Sequence, residues 1–192
     1  MDSSQNFKQV RSVKGNLIID YLKIIKANPD KPWEQHLAPE DFEQIKQMIL
    51  PSSWYPAEMF QRMGVAIFKL VSGEDYNVVR SFGRFLAERM CQEYPSIVAP
   101  GNPQSTLKRY VSIQSRFFSY QFIDTGEMGP GKFEVLFFSE PEDLGPRLLL
   151  EAVAGTAARL VELSGGKEVK ISINESGKPG ARANSFEVNW QG

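Results

Sequence analysis

The chain has 192 residues, of which 22 are Lys or Arg and 23 are Asp or Glu, for a net charge of -1. That near balance offers no field to gather a polyanion, which excludes nucleic-acid binding as a general role, and the length is that of one domain burying about 70% of the surface its unfolded form would expose. The single histidine, His36, and single cysteine, Cys91, cannot furnish a zinc site or an internal disulfide, so no metal or other cofactor is expected.

Met1 to Ser12 are polar and without sustained periodicity, which predicts a flexible N-terminal tail before a single domain over residues 13–192. From Gly15 the set Leu17, Ile18, Tyr21, Leu22 and Ile25 recurs at helical spacing until Pro29 and Pro32 stop it. A short second helix is expected after Pro39, with Phe42, Ile45 and Ile49 on one face and Glu40, Asp41 and Glu43 near its positive end. Between the two lies His36, in Glu34-Gln35-His36-Leu37-Ala38-Pro39, where a polar surface residue is the simpler reading than a catalytic relay.

Trp54-Tyr55-Pro56 reads as the opening of a third helix carrying Phe60, Met63, Ile67, Leu70 and Val71 on one stripe and closing at Gly73. The next helix turns Val79, Phe82, Leu86 and Met90 inward and sets Arg80, Arg84 and Glu88 on another face, and the two are expected as antiparallel neighbours. Gly64 and Gly83 fall inside these helices, where glycine costs about 1 kcal/mol relative to alanine, and close helix packing would compensate. Cys91 ends the stripe as a small packed residue with no base beside it.

A fifth helix is predicted from Gln104 to Phe117, with Leu107, Tyr110, Val111 and Gln114 on one side and a solvated basic cluster of Lys108, Arg109 and Arg116. Alternation then begins at Tyr120 and Phe122, turns at Gly129-Pro130-Gly131 and continues through Phe133 to Phe138. Glu140, Glu142 and Asp143 read as a solvated turn before a long helix ending at Leu163, narrow because of Ala152, Gly155, Ala157 and Ala158. Val169, Ile171 and Ile173, then Phe186, Val188 and Trp190, alternate with polar residues as an antiparallel pair whose apolar face is covered by helices. The linker Asn174 to Gly180 lacks the spacing and the following helix of a phosphate-binding loop and reads as a hairpin connection. The fold class is therefore α+β, an N-terminal helical portion followed by an antiparallel sheet backed by a long helix.

Trp54-Tyr55-Pro56-Ala57-Glu58, Val78 to Phe85 and Ser185-Phe186-Glu187-Val188-Asn189-Trp190 together resemble a delta-proteobacterial family distantly similar to haem-NO-binding and 4-vinyl-reductase-type domains. The resemblance implies the same α+β arrangement and a place in bacterial signalling. Haem-NO-binding domains use a proximal histidine and a Tyr-x-Ser-x-Arg element; here Tyr110-Val111-Ser112-Ile113-Gln114-Ser115-Arg116 carries the residue types at another spacing with no histidine, so haem is not carried over.

Two functions follow from an inventory so poor in catalytic groups. The first is a non-enzymatic regulatory or adaptor domain that contacts a protein partner or a second copy of itself, with Trp54, Tyr55, Arg80 and Arg84 as candidate anchors. The second is a sensor that binds an apolar or acidic small molecule between helices and sheet, with Tyr110, Phe122 and Phe137 as walls and Arg109 or Arg116 for an acidic group. The lone cysteine and the absence of a leader or a bilayer-length apolar run make a reducing cytoplasm the expected compartment.

Overall fold

The computed structural model describes residues 10–140, 143–174 and 183–192. Ordered pairing begins at Ser12–Lys14 (β1), antiparallel to Trp54–Pro56 (β2), with Val13 opposite Tyr55 and both buried. Trp54–Pro56 is thus a strand rather than the first turn of a helix, because Pro56 lacks only a donor and can end an edge strand. The expected tail lies outside the described residues up to position 9, and its end is tied in: Arg11 pairs with Asp143 at 2.7 Å and the Ser12 amide donates to Ser119 Oγ at 2.8 Å.

Gly15–Ala27 (α1) buries Ile18, Leu22 and Ile25 at the expected spacing and ends where the Asn28 amide group donates to Ile24 O. Pro39–Lys46 (α2) is shorter than expected, leaving Ile49 in the following loop. Its buried Asp41 accepts from the Ala38 amide and, bidentately at 2.7 Å, from Arg62 of Ala57–Leu70 (α3), which fixes α2 to α3. Asp75 caps Tyr76–Glu93 (α4) and Asn102 caps Pro103–Ile113 (α5) by accepting from amides in their first turns. A 3-10 turn at Gln114–Arg116 follows α5, which ends at Ile113 rather than at Phe117 as expected.

Ile123–Gly129 (β3) and Lys132–Phe138 (β4) form a hairpin turning at Gly131, whose φ of 66° suits glycine. Tyr120 and Phe122 lie just before β3, not in it. Lys167–Asn174 (β5) and Ala183–Gln191 (β6) are the expected antiparallel pair, and the sheet order is β3-β4-β6-β5, all antiparallel. Most of the linker Asn174 to Gly180 lies outside the described residues, as does Glu142. Phe133, Val135, Phe137, Phe186 and Val188 bury one face, while Lys132 and Glu187 pair at 2.9 Å on the other. Pro146–Leu163 (α6) and α5 cover the apolar face.

The principal partner of α4 is α6, not α3. The reason is the pair of glycines that let their backbones meet: a Cβ at Gly83 would run into the Ala152 carbonyl, and one at Gly155 into the Arg80 carbonyl. Thr156 Oγ1 donates to Gly83 O at 2.9 Å across the seam. Gly64 serves a different purpose, leaving room for the ring of Tyr21 from α1.

Candidate functional site

Where α1 and α3 face α4, α5 and α6, large aromatic side chains meet without filling the space between them. Tyr21 stacks on Phe60 at 4.8 Å and leans on Phe82 at 6.1 Å; Phe60 meets Phe118 edge-on, and Phe118 contacts Phe122 at 4.2 Å. They enclose a cavity of about 80 Å³ whose further walls include Tyr110, Leu149, Val153 and Thr156. Burial pushes the hydroxyls of Tyr21 and Tyr110 well above the usual tyrosine range, so both rings present neutral phenols.

The cavity opens on a wider groove of about 530 Å³. Asn16, Asp20, Arg89, Glu93, Tyr94 and Phe117 line both, so the groove is its vestibule. Four cations, Lys14, Lys23, Arg89 and Arg116, and two carboxylates, Asp20 and Glu93, give the vestibule a net charge of +2 in a chain of net charge -1. Asp20 engages Arg89 and, at 3.4 Å, Lys23. Lys14 Nζ instead donates to Ser52 O at 2.6 Å and lies 4.0 Å from the centre of the Trp54 ring, and Arg116 makes no hydrogen bond or ion pair among the described residues. On the α1 wall, Asn16 Oδ1 and Asp20 Oδ2 are buried one helical turn apart with no hydrogen-bond partner among the described residues. An unsatisfied buried acceptor costs about 1–3 kcal/mol, which marks this wall as something other than plain core.

Three of the sequence-predicted ligand residues converge here: Tyr110 and Phe122 as walls and Arg116 on the vestibule. Phe137 lines a neighbouring cavity of about 30 Å³ behind Phe122, and Arg109 donates to Ser96 O and Val98 O instead. Of the candidate anchors, Trp54 is 45% exposed beneath Lys14, whereas Tyr55 is buried and its hydroxyl accepts from the Leu50 amide. Arg80 and Arg84 turn across the seam to Glu151 and Glu162 at 2.6 and 2.7 Å. The sequence reading missed the α1 wall. Its only signal was the polar pair Asn16 and Asp20 at a four-residue step, which together with Lys23 makes a polar face that sequence alone would place in solvent.

No protein-family model matches the sequence, and no curated protein matches it. Solved structures do. An H-NOX protein from S. oneidensis is 13% identical with a TM-score of 0.62, the match covering 93% of this chain and 96% of that one. H-NOX structures from K. algicida (12%, TM-score 0.61, 93% and 97%) and T. tengcongensis (12%, TM-score 0.59, 93% and 98%) agree. At such identity the likeness establishes the fold: the chain has the α+β fold of H-NOX domains, as the resemblance implied.

The residues here do not fit the haem that such a fold brings to mind. His36 sits in the turn before α2 and lines neither the cavity nor its vestibule. The aromatic cavity is far below the roughly 300 Å³ at which cofactor pockets begin, so a macrocycle would have to sit in the charged vestibule rather than among the rings. Among the other donor types, the cavity's buried tyrosines resist ionisation, and burial, only partly offset by Arg159, raises the Cys91 thiol as well. Among the described residues no three His, Cys, Asp or Glu side chains are grouped to hold a metal ion.

Proposed function

We propose that the chain is a non-enzymatic sensor domain in a signalling protein, binding a small molecule other than haem in the aromatic cavity and reporting it by protein contact. The observation that carries this reading is the cavity itself: an apolar, aromatic-walled space opening on a charged vestibule, with two unsatisfied acceptors on one wall. Core packing alone fills such space, and buried acceptors are ordinarily paired. Native mass spectrometry of the purified chain, paired with a haemin titration followed by absorbance, tests it. The expected result is a small-molecule adduct and no stoichiometric Soret band; a saturating band at one haemin per chain overturns it.

The contact half of the proposal is favoured by a second observation. Val71, Tyr76, Val78 and Phe85 expose 38–57% of their surface around the α3–α4 turn and along α4. Beside them runs an apolar groove of about 210 Å³ that shares Tyr21, Phe82 and Ala152 with the ligand cavity. A ligand that moves either ring therefore reshapes this groove, which is how a bound molecule would alter affinity for a partner protein or a second copy. Among the described residues no helix is long and apolar enough to cross a membrane.

A further inference from the structure

We propose that the site takes a short aliphatic carboxylate, with its alkyl end in the aromatic cavity and its carboxylate at the vestibule rim that carries Lys14 and Arg116. This rests on the cavity being the sensory site and names what it selects. The size of the buried end follows from volume. A cavity of roughly 150 Å³ holds benzene, or about 25 Å³ per carbon, so the 80 Å³ here takes a thin chain of a few carbons rather than a ring system. The head group follows from charge. Asp20 engages Lys23 and Arg89, and Glu93 lies 3.5 Å from Arg89, so the vestibule's carboxylates are taken up by those two cations. Lys14 and Arg116 pair with no carboxylate among the described residues, and together they account for the vestibule's excess of +2. An anion gains from that excess and a cation is opposed by it, whereas Asn16 Oδ1 and Asp20 Oδ2, the wall acceptors without a partner among the described residues, are not met by this head group. Tyr94 and Phe117, edge to face at 5.9 Å, line both spaces and form the threshold between the apolar and charged parts.

The test is a titration of the full ¹⁵N-labelled chain with acetate, butyrate, hexanoate and hexanamide, followed by amide shifts. Shifts are expected at Asn16, Tyr94 and Phe117, with affinity rising about fourfold per methylene, as burial of a CH₂ predicts, and levelling off once about three carbons are enclosed. Hexanamide is expected to bind about fivefold more weakly than hexanoate, the range of a partly exposed ion pair. Arg116→Gln, at an exposed side chain with no partner among the described residues, should remove about half of the preference for hexanoate, Lys14 remaining at the rim, and leave hexanamide unchanged. Equal binding of hexanoate and hexanamide at the cavity overturns the proposal while leaving a sensory cavity in place. Shifts scattered over surface lysines with no chain-length dependence also overturn it. Absence of cavity shifts with every probe overturns it together with the sensory reading.

Discussion

A methyl group at position 83 would have nowhere to go, because the Ala152 backbone already occupies that space. Gly83→Ala should therefore destabilise the protein by about 2–3 kcal/mol by overpacking, despite the roughly 1 kcal/mol that alanine brings to a helix interior. Gly64→Ala meets only the edge of the Tyr21 ring at 3.4 Å and should be neutral or stabilising by up to about 1 kcal/mol. Urea midpoints at unchanged slope separate the two, and equal effects would refute the packing account. Asp143 gives a pH-dependent counterpart. Burial alone would raise its carboxyl, but hydrogen bonds from Arg11, the Glu140 amide and Gln61 outweigh that and hold it below the ordinary range. A carboxylate lowered on folding contributes stability above its unfolded pKa of about 3.9 and loses it as pH falls through the lower folded value. Thermal unfolding from pH 6 to pH 2.5 should thus show a loss at the acid end that Asp143→Asn makes shallower, with the variant already less stable at pH 6.

Between elements, three arginine pairs cross the seam of α4 and α6, Arg80 with Glu151, Arg84 with Glu162 and Arg159 with Glu88, and the first two are of unequal importance. Glu151 is 1% exposed and takes Arg80 at one oxygen and Arg147 at the other, whereas Arg84 and Glu162 are both partly exposed. Removing a partner from a buried carboxylate costs about 3–5 kcal/mol when nothing replaces it, and an exposed pair is worth at most about 1. Arg147 remains in place, so Arg80→Leu is expected to cost about 2–3 kcal/mol and Arg84→Leu less than about 1, measured by chemical denaturation. The four-residue step of Arg80 and Arg84 was legible in the sequence as one face of a helix, but its partners on α6 were not, because helical period fixes a face and not what lies across from it. The same limit explains the α3–α4 pairing expected from adjacency. Gly83 announced a close approach, and only the position of Gly155, far along the chain on α6, makes that helix its object. Strands β5 and β6 were legible because alternation with one polar face has a single arrangement under covering helices, whereas β1 and β2, three residues each, are too short to show any period.

For the molecule as a whole, the candidate site is a junction that no single segment encodes. Tyr110, Phe122 and Arg116 could be singled out because the middle of the chain is dense in aromatics beside basic residues, yet the facing wall comes from α1, and Asp20 reads as a surface acid until the fold buries it. Tyr21 stands at the centre of that junction: it lines the 80 Å³ cavity, the 30 Å³ cavity behind it and the 210 Å³ groove beside α4. Replacing a buried aromatic with alanine ordinarily costs about 3–5 kcal/mol, and the cost rises with the void left behind. Tyr21→Ala would join spaces that already exist, so little wall collapses into the gap and the penalty should be about 4 kcal/mol. The joined void is walled mainly by apolar side chains, with Arg11, Gln61 and Asp143 at one end and Asn16, Asp20 and Arg89 at another, and an apolar cavity of roughly 150 Å³ is already enough to bind benzene. Saturating benzene should then raise the melting temperature of Tyr21→Ala by several degrees and leave the parent almost unmoved, through the mass-action stabilisation of whichever form can hold it. An equal response in the two proteins would mean that the three spaces do not meet at Tyr21, and the physical link between the ligand cavity and the exposed face of α4 would go with it.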